Sequence, residues 1–170
     1  MKKKIIGIVC VSLGSILLSI LLAFGVFTLI KNKNVATTGN VLGVSWYNET
    51  DKSFTISTVE QLYEVAELAK FYKFKGQTIK LAADLVVNEG NAEDWAKNAP
   101  SKRWKPINGF SGTFDGQGHT ISGLYAKAFG SPLAMFTNTD ASCTIKNLRL
   151  VNTYFEASGL DSLASFVATG

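Results

Sequence analysis

The chain has 170 residues with 17 Lys+Arg and 13 Asp+Glu, for a formal charge of +4. That length holds one domain plus accessory segments. From Lys31 onward 14 basic residues face 13 acidic ones, so no strongly basic surface is available for nucleic acid, and nucleic acid is excluded as a partner.

Residues 1–30 read as a membrane-directed segment. Ile5 to Ile30 is a charge-free, apolar run of 26 residues. As a helix it would reach ~39 Å, more than a ~30 Å hydrocarbon core requires. It exceeds the apolar stretch of about 7–15 residues usual in a cleaved signal peptide, which favours an uncleaved signal anchor. Cleavage near Asn34-Val35-Ala36 would instead give a secreted chain. Lys2, Lys3 and Lys4 outweigh Lys31 and Lys33, which places the N-terminus in the cytoplasm and the remainder outside. The expected localisation is the cell membrane, single-pass, with the membrane as a partner through residues 5–30. Cys10 lies inside the apolar run and Cys143 far downstream, so no disulfide between them is expected.

Residues 31–45 are small, polar and turn-rich and read as a linker. The folded region is then 46–170. It opens with an extended lead-in, Trp46 to Ile56. Ser57 to Tyr72 follows with helical periodicity: Val59, Leu62, Ala66 and Ala69 share one face, with Val65 beside them. Ser57 and Glu60 have the spacing of a capping box.

After the helix the period changes to two. Gln77-Thr78-Ile79-Lys80-Leu81, His119-Thr120-Ile121-Ser122-Gly123-Leu124 and Cys143-Thr144-Ile145-Lys146-Asn147-Leu148 resemble one another. The last two start 24 residues apart, a length suited to one coil of a solenoid. Stacked coils would place Ile79, Ile121 and Ile145 in one dry column. Asn88 to Arg103 reads as a polar insertion. Asp115, Gly116 and Gly118 are structural turn residues, expected at corners where positive φ is cheap only for glycine.

Trp104-Lys105-Pro106-Ile107 followed by Phe110-Ser111-Gly112-Thr113-Phe114-Asp115-Gly116-Gln117-Gly118-His119-Thr120-Ile121-Ser122-Gly123-Leu124 resembles the repeat region of GLUG-motif bacterial surface proteins. Similar regions stand ahead of the catalytic part of immunoglobulin-A-cleaving metalloproteases. The resemblance covers roughly Trp46 to Gly170. It implies an all-β fold: a right-handed parallel β-helix of few coils with an N-terminal capping α-helix, preceded here by the transmembrane helix. It implies an exported, cell-surface setting and no chemistry of the region's own. The chain departs from the pattern at Leu133-Ala134-Met135-Phe136-Thr137, where the family shows a Gly-Leu-Phe-Gly type of turn. Ser165 to Gly170 reads as the start of a further coil, so a longer protein, or a partner covering that end, is expected.

Few side chains suggest chemistry. His119 is the sole histidine; stacked on Cys143 it would supply two metal ligands, short of the three or four of a zinc site. No His-Glu-x-x-His occurs, so zinc-protease activity cannot reside in this chain. Asp140 superficially fits a polysaccharide hydrolase, but a second nearby acid is wanting in the sequence. No cofactor is expected. Trp95, in the polar insertion, is the candidate contact for a host or cell-wall glycan or a protein ligand. The sequence reads as a non-catalytic scaffold or adhesion module. The alternatives are the non-catalytic N-terminal region of a larger surface protease and a polysaccharide-active enzyme.

Overall fold

The fold is taken from a computed structural model, which describes residues 43–159 and 162–169. The expected anchor, Cys10 and most of the expected linker lie outside these residues. Val44, at the end of that linker, is buried in the core, so the folded unit begins earlier than its polar composition suggests. Among the described residues no helix is long and apolar enough to cross a membrane.

Strand β1 (Ser53–Ile56) alternates exposed and buried, with Phe54 and Ile56 inward. It pairs in parallel with β2 (Thr78–Leu81), and helix α1 (Val59–Tyr72) is the crossover between them. Parallel strands need such a crossover, because a tight turn cannot return the chain to the same end of the sheet. The helix starts one residue later than expected. Thr58 is the N-cap and accepts from Gln61 N, while Gln61 Oε1 accepts from the backbone amides of Ser57 and Thr58. Its buried residues are Leu62, Val65, Ala66, Leu68 and Ala69. Lys73 and Phe74, both at positive φ, end it.

Ten further strands follow among the described residues: β3 (Leu85–Val86), β4 (Ile107–Asn108), β5 (Thr113–Asp115), β6 (Thr120–Ser122), β7 (Tyr125–Phe129), β8 (Phe136–Thr137), β9 (Thr144–Lys146), β10 (Arg149–Val151), β11 (Tyr154–Ser158) and β12 (Val167–Ala168). All pairing between these strands is parallel. The sheets run β1-β2-β5-β9, β3-β6-β10, β7-β11 and β4-β8-β12. Successive passes of the chain visit these sheets in the same order, each laying its strands against those of the pass before.

The fold class expected from the sequence is therefore corrected. In place of an all-β, right-handed parallel β-helix under a helical lid, the described chain has one α-helix and four separate parallel sheets of two to four strands. The helix is a crossover whose apolar face joins the common core, so the class is not all-β. The expected column also fails. Ile79 and Ile145 flank Phe114 in one ladder, whereas Ile121 sits in another sheet between Leu85 and Leu150. Phe114 precedes its partner Ile145 by 31 positions and Ile121 precedes Leu150 by 29, not by the 24 that the look-alike segments suggested. Position 119 is thus not equivalent to 77 or 143.

Aromatic rings knit the sheets together inside. Phe110 lies 5.4 Å from Phe74 and 5.5 Å from Phe136, and Phe114 lies 5.4 Å from Phe136 between ring centroids. A second cluster, Trp46, Tyr47, Phe54, Tyr72 and Phe74, closes the β1 end. Buried Gln77 ties this lead-in down. It donates to Asp51 O at 2.9 Å and accepts from Tyr47 Oη at 3.2 Å. Burial pushes the Tyr47 hydroxyl up to about 12.

Two of the turn residues differ in what they need. Gly118 has φ +86 with open space around it, as a corner glycine should. Gly116 has no positive φ; a Cβ there would overlap the Asn147 carbonyl oxygen and lie 2.6 Å from Leu148 Cα. It is a point of close approach between passes. Gly116→Ala is expected to cost about 3 kcal/mol of stability by overpacking against backbone. Gly118→Ala should cost about 1 kcal/mol from its left-handed conformation. Denaturant titration of both variants checks this, and equal losses would show that close approach is not what Gly116 serves.

Candidate binding surface

The residue types that could carry chemistry are held in contacts between passes. Asp84, just before β3, accepts from Thr120 N at 2.8 Å, and its Oδ1 lies 3.2 Å from His119 Nδ1. These contacts, the Thr120 amide foremost, hold the Asp84 carboxyl below its usual range. The sole histidine thus pins β3 to β6. Buried Asp115 accepts from Asn147 Nδ2 and Gln117 N, both at 3.0 Å, with Lys146 Nζ at 3.4 Å. Its carboxyl is held low in turn, chiefly by Asn147.

Asp140 accepts from Ser142 Oγ at 2.6 Å, Ser111 Oγ at 2.7 Å and Ser142 N at 2.8 Å. These bonds lower its pKa to about 2. A general acid works best with a pKa near the operating pH, so this carboxylate is poorly placed for proton donation. Cys143 lies beside it. Burial and then the Asp140 charge push the thiol upward, which leaves it a weak nucleophile. His119 and Cys143 directly precede β6 and β9, strands of different sheets. Among the described residues no group of three or more His, Cys, Asp or Glu could hold a metal ion.

Asparagines serve the same purpose. Asn88 donates to Gly123 O at 2.9 Å and Lys102 O at 2.7 Å, and accepts from Lys102 N at 3.1 Å, closing the neck of loop 88–103. Asn152 donates to Gly90 O and accepts from Ala92 N, both at 2.8 Å, tying the loop to the pass that follows β10.

The structure places Trp95 inside this loop, only 4 % exposed. Its ring meets Tyr125 edge-on at 6.2 Å, and Lys127 Nζ donates to the neighbouring Ala96 carbonyl at 3.4 Å. The indole anchors its own loop to β7, and neither face lies open to stack on a sugar. Sequence reasoning chose it because its neighbours are polar, but its partner lies 30 positions away.

An open cleft of ≈ 310 Å³ lies beside the loop. Segment 103–106 forms one wall, with Arg103, Trp104, Lys105 and Pro106. Segment 126–133 forms the other, with Lys127, Ala128 and Leu133 among its lining residues. Trp104 and Leu133 are buried, and the lining is mostly apolar. Tyr63 Oη donates to Arg103 O at 3.2 Å, Trp104 N to Tyr125 O at 2.7 Å, and Trp104 Nε1 to Ala134 O at 3.3 Å. The first wall is thereby fastened to α1 and to both ends of the second. The run Ser101-Lys102-Arg103-Trp104-Lys105 carries the signal that sequence reading passed over: three cations around one buried indole.

Comparison with protein-family models, curated proteins and solved structures finds no match for this chain.

Two outcomes follow. Asp140 has a folded-state pKa below its ordinary 3.8, so its contribution is present above about pH 4 and lost as pH falls toward about 2. Thermal melts should hold level down to about pH 5 and drop below pH 4. Asp140→Asn should flatten part of that acid limb, and an unchanged limb would remove Asp140 from the account. Trp95→Ala should free loop 88–103, read as faster proteolysis near Lys97 and Lys102. Unchanged cleavage would mean that the indole is not the anchor.

Proposed function

We propose that this chain is a non-catalytic, exported cell-surface module, a stacked scaffold that presents a binding surface. One observation carries the reading. The acids and the histidine most suggestive of chemistry, Asp84, Asp115, Asp140 and His119, are engaged in hydrogen bonds that fasten one pass to the next. A group spent on holding register is not poised to exchange protons with a substrate. The charge-free run Ile5 to Ile30, behind three lysines, supports export with the folded part outside. The resemblance of residues 104–124 to GLUG-motif surface proteins points the same way. The polysaccharide-active reading loses support, because Asp140 is held as a carboxylate by two serines.

The test uses the full chain, tagged at its C-terminus and expressed in bacteria. Protease added to intact cells should strip the tag, and purified chain should release no reducing ends from polygalacturonate. A tag protected from external protease would overturn the location. Turnover abolished by Asp140→Asn would overturn the non-catalytic reading.

A further inference from the structure

The geometry points to the cleft between segments 103–106 and 126–133 as a binding site for an acidic peptide segment of a protein partner, with an apolar side chain in the cleft and a carboxylate on Arg103. This deepens the reading of the chain as a binding module and rests on it.

Size comes first. A cleft of ≈ 310 Å³ stands at the lower limit of ligand pockets, which suits one or two side chains better than a folded surface. Its chemistry comes next. The accessible apolar wall is Pro106, Ala128 and Pro132, each partly exposed, backed by buried Trp104, Ala126 and Leu133, so an entering apolar group sheds water against apolar atoms. The only hydroxyl side chain among the lining residues is that of Ser131. A sugar would bring several hydroxyls into a wall with few partners, and each one left unpaired opposes binding. Nucleic-acid bases would want an aromatic face, and buried Trp104 offers none.

Charge fixes the sign of the ligand. Three cations line the cleft and no acid does. Lys127 is engaged by Glu156 at 2.8 Å. Lys105 is held loosely, 3.8 Å from a Glu67 that also serves Lys70 at 2.6 Å. Arg103 is exposed and has no ion pair among the described residues. A guanidinium beside an apolar cleft matches a carboxylate, which it can grip through two parallel bonds. Because segment 103–104 is already fastened to α1, β7 and Ala134, little ordering remains to be done on binding.

The experiment uses the full chain in detergent micelles and fluorescence anisotropy. The probe is a fluorescein-labelled octapeptide with Leu-Phe at its centre and acidic residues on both sides. Controls are the same peptide with lysines for the acids, and unlabelled polygalacturonate and heparin as competitors. The acidic peptide should bind saturably and weaken as salt rises. Arg103→Glu and Ser131→Trp, both at exposed positions, should each weaken it roughly tenfold or more, while Arg103→Glu should gain affinity for the lysine peptide. Polysaccharide should not compete. Absence of saturable binding, indifference to both substitutions, or polysaccharide binding with the same sensitivity to Arg103→Glu would each overturn the proposal. None of those results would alter protease accessibility on intact cells or the polygalacturonate assay, so the broader reading fails or stands separately.

Discussion

Parallel pairing in register is the constraint from which the rest of this structure follows. When one pass lies on another without offset, each inward side chain sits directly on its counterpart below. Phe54, Ile79, Phe114 and Ile145 form such a line, and Leu85, Ile121 and Leu150 another. Every member of a line must be apolar, and each fully buried one contributes roughly 1.5–3 kcal/mol. The same stacking brings backbones together at the corners, so side chains must vanish there. Gly112 would overlap the Phe74 carbonyl oxygen if it carried a Cβ, and Gly123 the Asn88 carbonyl oxygen. The glycines of the Phe110 to Leu124 stretch therefore have different duties: contact at 112, 116 and 123, and left-handed turning at 118 and 123.

Much of this is legible in the sequence, and the part that is not has one physical cause. Strand periodicity, the helix, the inward Ile and Leu residues and the glycine corners are local properties. Register is not. Thr78-Ile79-Lys80, Thr120-Ile121-Ser122 and Thr144-Ile145-Lys146 are locally alike because any short strand with one buried face has that pattern. Which sheet each joins is decided by the lengths of the connections and by corner contacts such as Gly116 with Leu148. The helix start shows the same degeneracy on a smaller scale. Ser57 with Glu60 and Thr58 with Gln61 both satisfy the capping pattern, and the choice fell to Thr58 because Gln61 reaches back to two amides. Trp95 shows the same limit: its burial depends on Tyr125, which its own polar neighbours do not reveal.

Burial is uneven across the passes. Phe114 and Ile121 are fully buried, while Ile145 and Leu150, one pass on, are partly exposed. The outer strands β9, β10, β11 and β12 are the last in their sheets. Polar groups remain well satisfied throughout. Among the described residues, no buried side-chain nitrogen or oxygen lacks a hydrogen-bond partner. The amides and carboxylates of Asn88, Asp115 and Asn147 thus do what apolar packing cannot. They distinguish one register from the next, because a slip would leave the buried groups of Asn88 and Asp115 unpaired.

That division of labour bears on function. Net charge says little about this molecule, since acids and bases after Lys31 nearly balance. Their placement says more. Asp84, Asp115 and Asp140 accept hydrogen bonds from amides and hydroxyls of neighbouring passes, and none of them lines the cleft. Lys102, Arg103 and Lys105 follow one another around Trp104 at the edge of an apolar cleft that no acid lines. The cleft lining holds three cations and no acid, on a wall already fixed in place. A near-neutral domain can in this way present a cationic, apolar and rigid recess, and the ligand it selects is set by that local field instead of by the formal charge of the chain.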